Sequence, residues 1–226
     1  MITLQIVKPS NIVLPSVYRY MRSEYVDLFF NEGKIRVSSF ARFREYPDEI
    51  RGDRHEANGA VVSKTKEGLQ FVACTEAGKD AYILCASTLE SEALMREFDA
   101  NGLFRVKDPL GFSLAVANSI PGFAQATQGF CNYQDLRLLH KQIPDMSTGD
   151  FTNESGELII GGPKMFQRMG EMVGDGTDLM LLKEKKYQGQ AEYRFIWKID
   201  TRFREIHEFL DVECREAIQF CERVKA

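Results

Sequence analysis

The stretch QGQAEYRFIW, residues 188–197, constrains the fold more than any other part of the chain because its polar and apolar side chains alternate. Successive side chains of a β-strand point to opposite faces of a sheet. One face of this predicted strand therefore carries Gln190, Glu192 and Arg194. The other face carries four apolar or aromatic side chains, Ala191, Tyr193, Phe195 and Trp197. A row of three long polar groups lies on a strand that otherwise has the composition of a core.

The composition is that of a globular protein. The chain has 226 residues, of which 44% are hydrophobic and 27% are charged, which predicts a single domain over 1–226. The segment 134–156 is polar and is a candidate mobile loop or insertion. The net charge of −4 gives no global basic field that would attract nucleic acid. Because no apolar run has the length of a membrane span or signal peptide, we expect a cytoplasmic protein without a membrane partner.

The cysteines, histidines and glycines exclude several common sites. Five cysteines and three histidines are scattered without a CxxC pair, which argues against a zinc site and favours buried, reduced thiols. No predicted strand is followed by GxGxxG or GxxxxGK[ST], so neither a dinucleotide-binding Rossmann domain nor a P-loop is expected.

The predicted elements indicate a mixed α+β fold, with small helices packed on mostly antiparallel sheets. A strand over Val17–Met21 precedes a helix from Ser23 that Gly33 terminates, and a strand over 34–38 follows. We further predict a helix over 40–46, a hairpin of 70–75 with 81–87, a helix that begins at Ser87, and a helix over 109–119 with Asp108 as its N-cap and Pro109 in its first turn. Strands are predicted over 179–183 and 191–199 and near 206–210, and a helix over 213–224.

Arg19 lies between Tyr18 and Tyr20 in the first predicted strand. Burying such an arginine is costly unless it meets an anion. The anion is either a bound ligand or one of the many carboxylates of the chain.

The segment 38–56 concentrates charges of both signs, which is typical of a solvated surface loop. The functional alternative is a loop whose arginines hold phosphates while a carboxylate orients a sugar or a proton. Ser38 and Ser39 end a strand and precede a helix, so they are also candidate helix caps.

Glu192 has two interpretations as well. Its position suits a cross-strand ion pair. A carboxylate beside an amide also suits a ribose hydroxyl or an oxocarbenium-like transition state.

Five segments, in order, resemble a bacterial and phage-associated family that is known only as a domain of unknown function. They are YRY, then GKIRVSSFARFRE with IRGDRHEA, then YILCAST, FRVKDPLGF and LLKEKKYQGQAEYRF. The resemblance covers nearly the whole chain and implies relationship without naming an activity.

A second resemblance is to the ADP-ribosyltransferases, which use an Arg or His on the first strand, a Ser-bearing strand and a late Q-x-E motif. Arg19 matches the first position, Ser38 or Ser39 the second, and Gln190-Ala191-Glu192 the third. Ser87, in the segment Cys85-Ala86-Ser87-Thr88, is an equally good candidate for the second position.

The second resemblance implies an ADP-ribosyltransferase-like α+β fold and NAD as cofactor. It implies that Glu192 and Gln190 are catalytic. The residues expected to bind NAD are Arg19, Tyr20, Ser38, Ser39, Arg42, Tyr193 and Arg194. The loop residues expected to close over the cofactor or to recognise the target are Arg51, Asp53 and Glu56.

The leading hypothesis is therefore a mono-ADP-ribosyltransferase or an NAD glycohydrolase-like effector in phage–host conflict. The expected acceptor is a protein, a nucleic acid or water. One alternative is a non-catalytic module of the same fold that binds a nucleotide or a protein. Another is a metal-dependent nuclease with Asp53, Glu56 and Glu192 around Mg²⁺.

Overall fold

A computed structural model describes residues 14–47, 50, 52–202 and 204–224. The strands are β1 (Val17–Met21), β2 (Lys34–Ser39), β3 (Asn58–Lys64), β4 (Gln70–Glu76), β5 (Ala81–Ser87), β6 (Gly102–Val106), β7 (Phe123–Phe130), β8 (Asn132–Gln134), β9 (Leu138–His140), β10 (Leu182–Glu184), β11 (Glu192–Ile199), β12 (Phe209–Glu213) and β13 (Cys221–Arg223). The α-helices are α1 (Ser23–Glu32), α2 (Phe40–Glu45), α3 (Glu92–Glu97), α4 (Pro109–Asn118), α5 (Pro163–Val173) and α6 (Thr177–Met180), and 3₁₀ helices cover Thr148–Asp150, Lys185–Gln190 and Arg215–Phe220.

The strands form one large and two small sheets. The large sheet has eight strands, which are all paired antiparallel, in the order β12-β2-β5-β1-β6-β13, and β11 and then β7 extend it from the other edge of β5. A three-stranded sheet has the order β4-β3-β9, and β10 pairs with β8. The prediction of a mixed α+β fold with mostly antiparallel sheets and small helices is confirmed.

The large sheet splits along one edge of β5. Strand β2 pairs with this edge at Tyr82 and Ile83, and β1 pairs with the same edge at Ser87. Between these contacts, β1 and β2 diverge from each other. The split leaves the backbone around Cys85 without a neighbouring strand on that side.

Strand β11 lies between two hydrophobic cores, and all eight of its residues are buried. Phe195 and Trp197 pack with α1 and α4 on one face. Ile196 packs with β3, α5 and α6 on the other face. The polar side chains of this second face must therefore find partners inside the protein.

Several local predictions are confirmed. The hydroxyl of Ser39 accepts a hydrogen bond from Arg42 N at 3.2 Å and caps α2. Asp108 caps α4, with Pro109 in its first turn. Gly33 ends α1 with a φ of 75°, and a Cβ there would lie 2.7 Å from Arg215 N, so this position requires glycine.

The predicted hairpin of 70–75 with 81–87 is wrong, because β4 and β5 belong to different sheets. The helix predicted from Ser87 begins later, since Ser91 caps α3. The predicted strand over 179–183 is half helix, because α6 continues to Met180.

The predicted C-terminal helix is also wrong. Strand β12 continues to Glu213, a 3₁₀ helix follows, and β13 pairs with β6 at Val106. Cys214, Ala217 and Cys221 are all buried in one core. Their spacing fits a helix, but strand pairing at both ends leaves room for only a short one.

The segment 134–156 contains β9 and a 3₁₀ helix, and it contributes Met146 and Phe151 to a core. No helix in the described part of the chain combines the length and the apolar character that a membrane crossing requires.

Candidate functional site

The first residue of β11, Glu192, is the centre of a buried polar network. Its Oε1 accepts a hydrogen bond from Arg194 Nε at 2.7 Å, and its Oε2 is ion-paired with Lys183 Nζ. Its backbone N donates to the hydroxyl oxygen of Tyr133 at 2.7 Å. Lys183 belongs to β10, so the network joins the large sheet to a small one.

The Arg194 side chain extends the network to a distant segment. It donates from Nη1 and Nη2 to the carboxylate of Glu56, at 2.7 and 3.0 Å, and also to the carbonyl oxygen of Met180. The side chain of Arg194 is fully buried and that of Glu56 is 3% exposed. Every polar group of this guanidinium therefore has a partner inside the protein.

Gln190 lies in a 3₁₀ helix rather than on β11, because Ala191 adopts a left-handed conformation with a φ of 42°. Its side-chain oxygen still accepts from Lys183 Nζ at 3.0 Å. Its amide nitrogen donates to Ile50 O at 3.1 Å and to Glu97 Oε1 at 3.0 Å. Gln190 and Glu192 thus share Lys183, although the expectation that both lie on one strand is wrong.

The charges within the network are fixed by their neighbours. Burial favours the neutral form of Glu192, but Arg194 and Lys183 outweigh it and hold the pKa of Glu192 well below its usual range. Burial also opposes the charge of Lys183, yet Glu192 raises the pKa of this ammonium. The negative charges of Glu192 and Glu56 balance the positive charges of Lys183 and Arg194, so the net charge of the network is close to zero.

Two cysteines flank the network. Burial and the charge of Glu192 raise the pKa of Cys85 and of Cys131. Since the thiolate is the nucleophilic form, neither thiol is activated at neutral pH.

Arg19 reaches the same region from β1. Its Nη1 donates to Cys85 O at 2.6 Å, at the point where β1 and β2 separate along β5. Burial lowers the pKa of this guanidinium, and Cys85 and Glu192 act in the opposite direction. Arg19 Nε is buried without a hydrogen-bond partner, and Arg19 forms no ion pair with any carboxylate in the described part of the chain.

Other residues expected to bind NAD are occupied elsewhere. The Tyr20 hydroxyl donates to Leu89 O at 2.6 Å and accepts from Ser91 N at 2.8 Å. The hydroxyl of Ser39 caps α2, whereas Ser38 pairs with Ile83 of β5 through its backbone, which does not engage its hydroxyl.

Two further side chains do not reach the network. Tyr193 lies on the opposite face of β11 between Phe130 and Phe195, where burial raises its pKa to about 12. Arg42 lies 3.6 Å from a carboxylate oxygen of Glu208 and above the ring of Tyr46.

The loop residues are partly brought to the network. Asp53 is buried, is ion-paired with Arg137 and accepts from His55 N at 3.0 Å. Arg51 lies outside the described residues. Within the described ranges, no three His, Cys, Asp or Glu side chains are grouped so as to hold a metal ion.

Two partners of the polar row, Tyr133 and Glu97, were not identified from the sequence. Neither was Arg137, the partner of Asp53. Long polar side chains on a fully buried strand require partners, but the sequence does not say which segments supply them. Both network carboxylates also adjoin an alanine in the left-handed region, Ala57 at 57° and Ala191 at 42°. Such alanines are strained.

The chain matches no protein-family model, no curated protein and no solved structure in the comparisons made.

Proposed function

We propose that this chain binds a nucleotide of the NAD type where β1 and β2 separate along β5, and that it breaks the bond between nicotinamide and ribose. The fold would then be of the ADP-ribosyltransferase type. The observation that supports the proposal is that Arg19 and Glu192, which are far apart in sequence, lie on either side of the end of β5. The guanidinium suits the pyrophosphate of such a substrate, and the carboxylate suits its ribose.

Arg19 suits the pyrophosphate. A guanidinium has five N–H donors in a fork that matches phosphate oxygens. Arg19 uses one nitrogen for Cys85 O and has no carboxylate partner in the described residues. Its positive charge is therefore free to pair with an anionic ligand.

Glu192 suits a ribose hydroxyl. A carboxylate has about four lone-pair sites, and Arg194 and Lys183 occupy one on each oxygen. The remaining sites can accept from a hydroxyl once the ligand has displaced the side chains that leave Glu192 only 5% exposed. Because two cations balance the carboxylate, it would orient the sugar more than stabilise its positive charge.

The reaction would be a glycosyl transfer. The bond from the ribose carbon to the nicotinamide nitrogen breaks, and nicotinamide leaves with the electron pair. An acceptor, either water or a group on a protein or nucleic acid, forms the new bond and loses a proton.

The test measures NAD consumption by the purified chain, with and without candidate acceptors. We expect turnover by the wild type and its loss in Glu192→Gln. Glu222→Gln is the control, because it removes a carboxylate that pairs with Arg105 outside the network, and it should still turn NAD over. A folded wild-type chain that neither binds nor consumes NAD would overturn the proposal.

A second candidate is a non-catalytic nucleotide-binding module, which the two ion pairs of Glu192 favour. In that case NAD or ADP-ribose raises the melting temperature without being consumed. The shift should disappear in Arg19→Gln. It should persist in Arg105→Gln, since Arg105 lies on the next strand and pairs with Glu222.

A further inference from the structure

Strand β4 is an edge of the three-stranded sheet, and within the described ranges it pairs only with β3. The register between the two strands is unbroken. Thr65 N donates to Leu69 O at 2.9 Å at one end, and Ala77 N donates to Ala57 O at 2.9 Å at the other. Because hydrogen-bonded and non-hydrogen-bonded pairs alternate between antiparallel strands, residues 71, 73 and 75 direct their backbone groups toward β3. The residues that direct them outward are Gln70, Val72, Cys74 and Glu76.

The outward backbone groups of β4 are open to another strand. Their N–H and C=O groups have no hydrogen-bond partner in the described part of the chain. Natural edge strands are protected by charges, prolines or bulges. From Gln70 to Glu76 there is no proline and no bulge, and Glu76 is the one charged residue. Its carboxylate is ion-paired with Arg44 and Lys79, and the apolar Val72 is 56% exposed.

We propose that β4 of a second copy of this chain pairs antiparallel with this edge, around a two-fold axis at Ala73. A two-fold antiparallel pair places one residue opposite itself. With Ala73 on the axis, Val72 forms a hydrogen-bonded pair with Cys74 of the second copy. Gln70 forms such a pair with Glu76 of the second copy. All four outward residues are thereby paired within the strand.

A shift of the axis by one residue gives a less complete pair. An axis at Val72 or at Cys74 places one end of the strand opposite a glycine of a flanking turn, Gly68 or Gly78. Both glycines lie outside β4 in the left-handed region, with φ of 96° and 75°, and they do not continue a strand. The axis at Ala73 pairs every outward residue of β4 with another residue of β4.

The polar side chains at the two ends of the pair are complementary. Gln70 lies opposite Glu76 of the second copy, so its amide N–H groups can donate to that carboxylate. Lys64 is exposed and lies beside Gln70 on β3, so it brings a positive charge to the same end. No two like charges face each other across the pair. The edge is therefore complementary to itself, which favours a second copy over a foreign peptide.

The apolar surface beside β4 also fits a second copy. Because the axis at Ala73 is normal to the sheet, the layer that covers the inner face of β4 lies on the same side in both copies. In each copy Phe151 stacks on Phe71, and α5 packs against β4. The segment 158–166 of this layer carries four large apolar side chains that are 42–82% exposed, Leu158, Ile159, Ile160 and Phe166. Such patches mark interaction sites, and a second copy brings an equal patch to the other side of the axis.

The first test is the mass of the purified chain, by light scattering or sedimentation. We expect twice the 25.8 kDa of the chain. Val72→Pro removes an outward N–H donor without removing a bond to β3, and edge strands tolerate proline, so it should halve the mass. Val72→Lys, at the same exposed position, brings two ammonium groups together near the axis and should also halve it. Val72→Thr keeps the N–H and a β-branched side chain, and as the matched control it should leave the mass unchanged.

The second test is cross-linking through Cys74, the exposed cysteine, with a short bismaleimide. The two copies of Cys74 are diagonal neighbours across the axis, about 7–8 Å apart, so a covalent dimer should form. Gln70→Cys in a Cys74→Ser background is the control. Its two copies would lie about 20 Å apart along the strands, so the same reagent should leave this variant uncross-linked on a denaturing gel.

Three results would overturn the proposal. They are a monomeric mass at every concentration, a dimer that neither Val72→Pro nor Val72→Lys weakens, and equal cross-linking through Cys74 and through Gln70→Cys. Capture of an extended peptide at this edge by a monomeric chain would likewise replace the second copy as its occupant.

Discussion

Arg194 donates two hydrogen bonds to the carboxylate of Glu56, at 2.7 and 3.0 Å, and a third to Glu192 at 2.7 Å. One guanidinium therefore joins the start of β11 to the turn before β3. Neither carboxylate contacts water freely, since the exposed fraction of the whole residue is 2% for Glu56 and 5% for Glu192. Removal of the guanidinium would leave Lys183 as the only cation of the network.

We predict that Arg194→Met lowers the free energy of unfolding by about 3–5 kcal/mol, because breaking a buried ion pair leaves an uncompensated charge. Methionine fills much of the same volume, so the loss is electrostatic rather than a cavity effect. Urea unfolding of both proteins at pH 7, followed by circular dichroism, measures the difference.

The matched control is Arg36→Met. Arg36 makes the same two-bond contact with Asp211, at 2.7 and 2.8 Å, but both side chains are 56% exposed. An exposed pair contributes about 0–1 kcal/mol. Equal losses in the two variants would contradict a special role for the buried network.

The pKa of Glu192 predicts a pH dependence of stability. Burial favours its neutral form, but Arg194 and Lys183 lower the pKa well below the ordinary 4.5. The unfolded chain therefore takes up this proton at a higher pH than the folded chain. The stabilisation is complete above the ordinary pKa and is lost as the pH falls below it.

The measurement compares the wild type with Glu192→Gln in urea unfolding at pH 7, 5, 4 and 3. We expect the advantage of the wild type to be greatest at pH 7 and to shrink steadily below about pH 5. An advantage that stays constant over this range would mean that the carboxylate is not held ionised in the folded state.

Local chemistry made much of the fold predictable. Gly33 ends α1, Ser39 caps α2 and Asp108 caps α4 because backbone groups at helix ends need nearby partners. The alternation along β11 identified a strand with one polar and one apolar face. These signals act over a few residues and are visible in the sequence.

The partners of the polar row were not predictable in the same way. Glu56 and Arg194 are separated by 138 positions, and their contact depends on how the small sheets pack against the large one. The split along β5 follows from two strands pairing with one edge, which no local pattern encodes. Gln190 was misplaced because Ala191 adopts a backbone conformation that alanine rarely takes.

Substitutions at Ser39 distinguish a residue that only caps a helix from one that also binds NAD. We predict that Ser39→Ala lowers the free energy of unfolding by about 0.5–2 kcal/mol, and that Ser39→Gly lowers it by only a few tenths, because glycine is tolerated at a helix N-cap. Thermal and urea unfolding measure both. If the hydroxyl serves only as a cap, Ser39→Gly should bind NAD like the wild type. Loss of NAD binding in this stable variant would assign the hydroxyl to the ligand.

Ala191 allows a test of stored backbone strain beside Glu192. Its φ of 42° costs an alanine about 1–2 kcal/mol, whereas glycine adopts this region freely. After the greater flexibility of glycine in the unfolded chain is subtracted, we predict that Ala191→Gly raises the free energy of unfolding by about 0.5–1 kcal/mol. Ala41→Gly, at an exposed position of α2, is the control and should lower it by about 0.5–1 kcal/mol. If both variants lose stability, the left-handed conformation at Ala191 stores no strain. The position of Glu192 relative to Lys183 then does not depend on backbone strain at Ala191.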